Sequence, residues 1–200
     1  MFDCPSRIGG TTPTASTNTC VVINSNNVVL DNNWLWRADH GGNTSWIGWT
    51  INPSLTGIEV NGENMTAYGL FVEHHQKFQT MWNANGGRVY FYESELPYDA
   101  PNNMVWSQNG EDGYPSYKVA EDVTTNAGTG MTVATLLYNA VRCNNTYEKP
   151  NVTGINMTHL AILWLLGNSS AGIDHIINSI GGPVNGRTNV SIPTSYYLGG

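Results

Sequence analysis

The chain has 200 residues, enough to bury one core, and the length prior allows a single unit over 1–200. Only 12% of its residues are charged and the net charge is −7, so a phosphate backbone or an anionic bilayer finds no basic surface to hold. The composition therefore argues against nucleic acid as a partner, and the apolar run Leu160–Leu166 is too short to cross a membrane.

Met1-Phe2-Asp3-Cys4 does not open a basic and then apolar export signal. The sequons at Asn43, Asn64, Asn144, Asn151, Asn156, Asn168 and Asn189 nevertheless fit a secreted glycoprotein with a loop-rich surface. The two observations together are those of a fragment, or of a sequence lacking its N-terminal part. Cys4, Cys20 and Cys143 are odd in number, and their spacing allows a Cys4–Cys20 bridge with Cys143 free.

Residues 1–19, rich in Gly, Thr, Pro and Ser, read as an incoming loop. Short strand signals then follow: Cys20–Ile23, Val28–Leu30, Trp34–Trp36, Gly57–Val60, Asn64–Tyr68, Leu70–Val72, Phe78–Trp82 and Val89–Tyr92, separated by Asn- and Gly-rich turns. Runs of this length recurring at roughly 20 to 25 residues are the pattern of a stacked solenoid, which predicts an all-β parallel β-helix with well-patterned coils over 20–125. Val28, Leu30, Leu35, Leu70, Val72 and Phe91 are the predicted inward residues. Residues 126–200 read as a closing part, in which Met131–Cys143 and Ile173–Ile180 fit both a strand and a short helix.

The first of two aromatic-rich runs, Leu70–Val72, ends at Glu73, and the second, Val89–Tyr92, ends at Glu93 and Glu95. The segment Asn83-Ala84-Asn85-Gly86-Gly87 between them can turn sharply, so stacked strands would make Glu73 and Glu95 neighbours across a ladder of about 4.8 Å. Two close carboxyls flanked by Trp and Tyr suit a glycosidase, one protonating the leaving oxygen and the other assisting attack. Arg37, Asp39 and His40 end an earlier strand and fall on the same wall, with an Arg37–Asp39 ion pair as the structural reading. Trp34, Trp36 and Trp82 fit a core or stacking ladder better than a sugar platform. His74 and His75 are adjacent, so on a strand they face opposite ways, and with no further ligand at metal spacing no metal or other cofactor is expected. Acyl-, phosphoryl- and hydride-transfer motifs are missing.

Val28–His40 (VVLDNNWLWRADH) together with Ala67–Asp99 resembles the second β-helical module of the glycoside hydrolase family 55 group of exo-β-1,3-glucanases, and Tyr117–Ala120 and Val123–Thr125 extend the likeness. The resemblance implies a right-handed parallel β-helix, normally one of two, so that an N-terminal partner module would be missing from this chain. It further implies a metal-free, inverting hydrolysis of β-1,3-glucan, with Glu95 as general acid, kept protonated by apolar surroundings, and Glu73 ordering the attacking water. Trp36, Asp39, His40, His74, Gln76, Trp82, Tyr92 and Glu93 are the expected substrate-binding residues. The alternatives are a polysaccharide-binding or cell-wall module without catalysis, and a polysaccharide lyase, which a −7 chain without an evident Ca²⁺ site suits less well.

Overall fold

The structure, a computed structural model, describes residues 1–185 and 194–199. The sequon at Asn189 lies outside them. In chain order the strands are β1 (Pro5–Ile8), β2 (Thr17–Ile23), β3 (Val29–Arg37), β4 (Ser54–Val60), β5 (Thr66–Glu73), β6 (Thr80–Trp82), β7 (Gly87–Glu95), β8 (Ser107–Gln108), β9 (Glu111–Asp112), β10 (Tyr117–Val119), β11 (Asn126–Leu137), β12 (Arg142–Glu148), β13 (Ile155–Gly167), β14 (Gly172–Ile177), β15 (Val184–Asn185) and β16 (Thr194–Tyr197). Among the described residues the one helical element is a 3₁₀ turn at Thr44–Trp46.

Apart from the β8–β9 hairpin, successive strands alternate as far as β14 between two seven-stranded sheets, β1-β3-β5-β7-β11-β13-β16 and β15-β14-β12-β10-β6-β4-β2. Pairing is parallel until the last strand of each, where β16 and β15 run antiparallel to β13 and β14. The small β8–β9 hairpin stands apart. Each circuit of the chain thus adds one strand to each sheet. Residues in register lie 37, 22, 39 and 29 positions apart in successive circuits from Val29 through Thr66, Arg88 and Ala127 to Asn156. Only the 22-residue circuit has the spacing expected from sequence, because longer loops on the others leave the strand-to-strand register intact.

Inward side chains of both sheets meet in one core that includes Leu35, Ile58, Leu70, Val72, Trp82, Tyr117 and Ile173. Gly87 is required there, since a Cβ on it would fall within the Trp82 indole. At one turn Asn24, Asn61 and Asn83 form a ladder, the Asn61 amide donating back to Asn24 at 2.9 Å and that of Asn83 back to Asn61 at 2.8 Å, which lets turn backbones stack without apolar side chains.

The strands of the first sheet share a bend. Asn32, Gly69, Phe91, Gly130 and His159 follow one another in register and all adopt the left-handed conformation, with φ of 52, 60, 61, 65 and 55°. One such residue turns the chain and slips the inside–outside alternation by one position. In β5 the buried series runs Ala67, Leu70, Val72, and in β7 it runs Val89, Tyr92, Ser94.

Two sequence expectations, on Phe91 and on a Cys4–Cys20 bridge, are corrected by the structure, and an open choice between helix and strand is resolved. Phe91 occupies the bend and is 68% exposed, whereas Leu30, Leu35, Leu70 and Val72 are buried and Val28 packs half-buried against the core. The segments that fit a helix equally well are extended: residues 131–137 belong to β11, Arg142 and Cys143 open β12, and residues 173–177 belong to β14, where β-branched side chains suit the strand. Ile180 lies beyond β14, in an antiparallel bridge to Ile177. Cys4 and Cys20 are unbridged, with the Cys20 thiol 3.1 Å from Ser6 Oγ and that of Cys4 donating to the Phe2 carbonyl.

Candidate functional site

Beyond the bend, outward side chains of the first sheet form two rows. One runs Trp36, Glu73, Glu95 and Ala134 in register, and the other Trp34, Phe71, Glu93 and Thr132. Three carboxyls thus share one face because the slip at Gly69 and Phe91 carries residues 73, 93 and 95 outward. Trp34 and Trp36 stack at 5.1 Å beside them, and Phe71 meets Phe91 edge to face at 6.2 Å.

The segments that follow β3, β5 and β7 complete the cluster. His74, buried and left-handed at φ 64°, places Nε2 3.1 Å from Glu95 Oε2 and 3.5 Å from Asp39 Oδ1. The Tyr98 hydroxyl donates to Glu95 Oε2 at 2.6 Å, and its ring packs against the His74 imidazole at 4.4 Å. Asp39 also accepts from Trp36 Nε1 at 3.3 Å and lies 2.6 Å from Nδ1 of the exposed His40. Arg37 is buried and forked onto Asp99 at 2.9 and 2.8 Å, with further bonds to the Asn52 and His74 carbonyls. The expected Arg37–Asp39 pair is therefore replaced by Arg37–Asp99, which ties the end of β3 to the turn after β7.

Charge is divided unevenly among these groups. Burial, with Glu73 and Glu95 nearby, pushes the Glu93 carboxyl up to about 8, so it holds a proton at neutral pH. Burial also raises Glu73, opposed by the Trp34 and His74 contacts. For Glu95 burial is outweighed by hydrogen bonds from His74 and Tyr98, which hold its carboxyl below the usual range. Burial disfavours a charged His74, yet the Glu95 hydrogen bond and the charges of Asp39, Glu95 and Glu73 raise it. The expectation of an apolar pocket that keeps Glu95 protonated is thus corrected, because the proton of this cluster leans toward His74 and Glu93.

Glu73, His74 and Glu95 each bring one donor atom to within 4.8 Å of the others. We read their short contacts as hydrogen bonds within a proton-sharing group. Trp36, Asp39, His40 and Glu93, expected from sequence as substrate-binding residues, adjoin this group. Trp82 and Tyr92 do not: Trp82 stacks on Tyr117 inside the core, and the Tyr92 hydroxyl lies 3.1 Å from both Thr80 and Ser116 in the interior. Gln76 is buried with its amide spent on the Trp49 carbonyl at 2.6 Å, a structural bond. The sequence pattern does not single out Tyr98 and Asp99, and the Leu96-Pro97 turn that folds them back three and four residues after Glu95 is the signal it offers for them.

The carboxyls stand on an open wall. Hollows of about 380 and 400 Å³ lie elsewhere, one near Lys118 and Glu148 and one near Thr17 and Pro53, and neither is lined by an aromatic side chain.

Comparison with known proteins adds an independent line. Residues 1–95 match the LAM55 pectate lyase-like domain. The chain is 38% identical over 188 residues to an exo-beta-1,3-glucanase of Streptomyces sp. (strain SirexAA-E / ActE), an alignment covering 92% of this chain and 30% of that protein. It is 29% identical over 105 residues to a glucan 1,3-beta-glucosidase of Cochliobolus carbonum, covering 50% of this chain and 13% of that one. Among solved structures, sacteLam55A from Streptomyces sp. SirexAA-E superposes with a TM-score of 0.89 at 34% identity, over 98% of this chain and 34% of the other. A variant of the same protein in complex with glucose superposes at 0.88. The chain thus spans about a third of the length of the first relative it matches.

Proposed function

Since the chain is glycoside hydrolase family 55-like and carries a LAM55 pectate lyase-like segment, we propose that it is one right-handed parallel β-helix of a secreted β-1,3-glucan hydrolase. The observation that carries this reading is the placing of Trp36, Glu73 and Glu95 on successive rungs of one open wall, with Trp34 and Phe71 beside them. Aromatic faces pack against the apolar faces of glucosyl rings, and the carboxyls supply proton and base.

In this mechanism Glu95 delivers a proton to the glycosidic oxygen as the C1–O bond breaks, and Glu73 accepts from the water that adds to C1. Donor atoms of Glu73 and Glu95 lie within 4.8 Å, closer than the roughly 6.5–9.5 Å that separates the two carboxyls of inverting enzymes. Glu73 alone therefore does not reach the far side of a sugar seated on Glu95. The water is held jointly by Glu73 and by a second wall from the rest of the protein, in keeping with the one-third span and the open site. The short separation favours a second reading, double displacement with Glu73 as nucleophile. NMR of the first product distinguishes the two: α-configured sugar is expected, and β-configured sugar would replace the single-displacement scheme.

The complete protein with Glu95→Gln should hydrolyse laminarin roughly 10²- to 10⁴-fold more slowly with little loss of binding. Glu73→Gln should also impair turnover, and Glu93→Gln much less. Retention of more than about half the wild-type rate by Glu95→Gln removes it as the acid. A wild-type protein that binds glucan without cleaving it makes this a binding module.

A further inference from the structure

The His74 ring is 2% exposed and held on all sides. Its backbone N–H donates to the Glu95 carbonyl at 2.9 Å, its carbonyl accepts from Arg37 at 3.1 Å, and its Nδ1 lies 3.2 Å from the Leu96 carbonyl oxygen. A carbonyl oxygen only accepts, so Nδ1 carries a hydrogen. Nε2 is left facing Glu95 Oε2 at 3.1 Å and Asp39 Oδ1 at 3.5 Å. An imidazolium there donates to a carboxylate, and a neutral ring accepts from a carboxylic acid. In either state a single proton lies between Nε2 and Oε2.

We propose that His74 is a positioning residue that holds, jointly with Glu95, the proton delivered to the leaving oxygen of the glucan. This rests on the reading of Glu95 as general acid and explains how a carboxyl receiving two hydrogen bonds serves as one. Asp39 supports the imidazolium form, and Tyr98 keeps Oε2 beside the ring, so the shared proton is delivered from Oε2 as its O–H turns from Nε2 toward the leaving oxygen. As the C1–O bond breaks, the proton on the pair passes to the leaving oxygen, forming its O–H bond. The pair is left as neutral imidazole and carboxylate. The proton released by the attacking water goes to Glu73 and then to solvent, and the pair takes a proton back from solvent before the next cycle. One water is consumed and one glycosidic bond is cleaved.

The role has a chemical signature. A sugar alcohol is a poor leaving group that must be protonated, and fluoride needs little protonation. His74→Asn is the suitable variant, because Asn tolerates the left-handed backbone at this position but is too short to reach Glu95. In the complete protein it should lower laminarin turnover by roughly 10²-fold while β-laminaribiosyl fluoride turnover stays within about threefold. Equal loss on both substrates, or no loss on laminarin, overturns the proposal. Glu95→Gln measured in parallel reports on the underlying reading: if it shows no such selectivity, the assignment of Glu95 fails, whatever His74 does. Should His74→Asn fail to fold by circular dichroism, Asp39→Asn removes the charge facing Nε2 and must show the same selectivity in smaller measure; without it the proposal falls.

Discussion

His75 shows how differently two adjacent histidines are used. It is fully buried on the core side, with Nδ1 2.7 Å from Ser54 Oγ and Nε2 3.4 Å from the Leu35 carbonyl, and burial pushes it down to about 3. It is neutral in the fold. As pH falls below about 6.5 the unfolded chain takes up a proton that the folded chain refuses, so stability drops by up to about 1.4 kcal/mol per pH unit until about pH 3. Glu93 acts in the opposite sense: its raised carboxyl stays protonated in the fold while the unfolded one ionises, so stability is lost as pH rises from about 4.5 toward 8. Urea midpoints should therefore peak between these limits, with His75→Gln flattening the acid limb and Glu93→Gln the other. An unchanged acid slope in His75→Gln would remove that residue as its source. The divergence of the two histidines matches the sequence expectation but not its reason, since both lie beyond β5 and His74 is left-handed; the Arg37–Asp99 pair was not legible, since its partners are 62 residues apart and meet only through the strand register.

At the scale of elements, the left-handed row decides which residues are available for chemistry. Counted by twos from Val89, residues 91, 93 and 95 would point inward and Tyr92 outward. The slip at Phe91 reverses this, burying Tyr92 and turning Glu93 and Glu95, half-buried, to the outer face. That is why the sequence pattern placed the carboxyls at the right strand ends yet assigned Phe91 to the core and Tyr92 to the substrate. Period-two reasoning carries no sign of a single αL residue when that residue is Phe. Gly130 offers a clean test, since a Cβ there meets nothing within 4 Å and any cost is purely conformational. Gly130→Val should cost about 1–2 kcal/mol by urea denaturation and Gly130→Asn much less. Equal costs would mean that the row imposes no backbone constraint at this position.

At the scale of the whole molecule, the exposed turns that carry Asn43 and Asn64 follow from the coiling of the chain, and both side chains stand clear of the core. In a secreting eukaryotic host at least one should carry glycan, seen by mass spectrometry as deamidation after enzymatic release in heavy-oxygen water. Unmodified peptide at both positions would remove the support for a secreted glycoprotein. Asn144, half-buried within β12, is expected to stay unmodified. The recurrence of short runs and Asn turns made the all-β, parallel architecture legible, whereas the varying circuit lengths were hidden because loops add residues without changing register.

The two ends of the stack are not equivalent. At one end β15 and β16 run backward against β14 and β13, while at the other β1 and β2 are edge strands whose outer sides pair with no described strand. A reversed strand offers its outer side in the antiparallel pattern, whereas β1 and β2 offer theirs in the parallel one. The stack therefore has a polarity. Both rims are sheet edges, one parallel and one reversed, and a Lys or Pro placed on an outer strand at either of them lowers the hazard of edge-to-edge association.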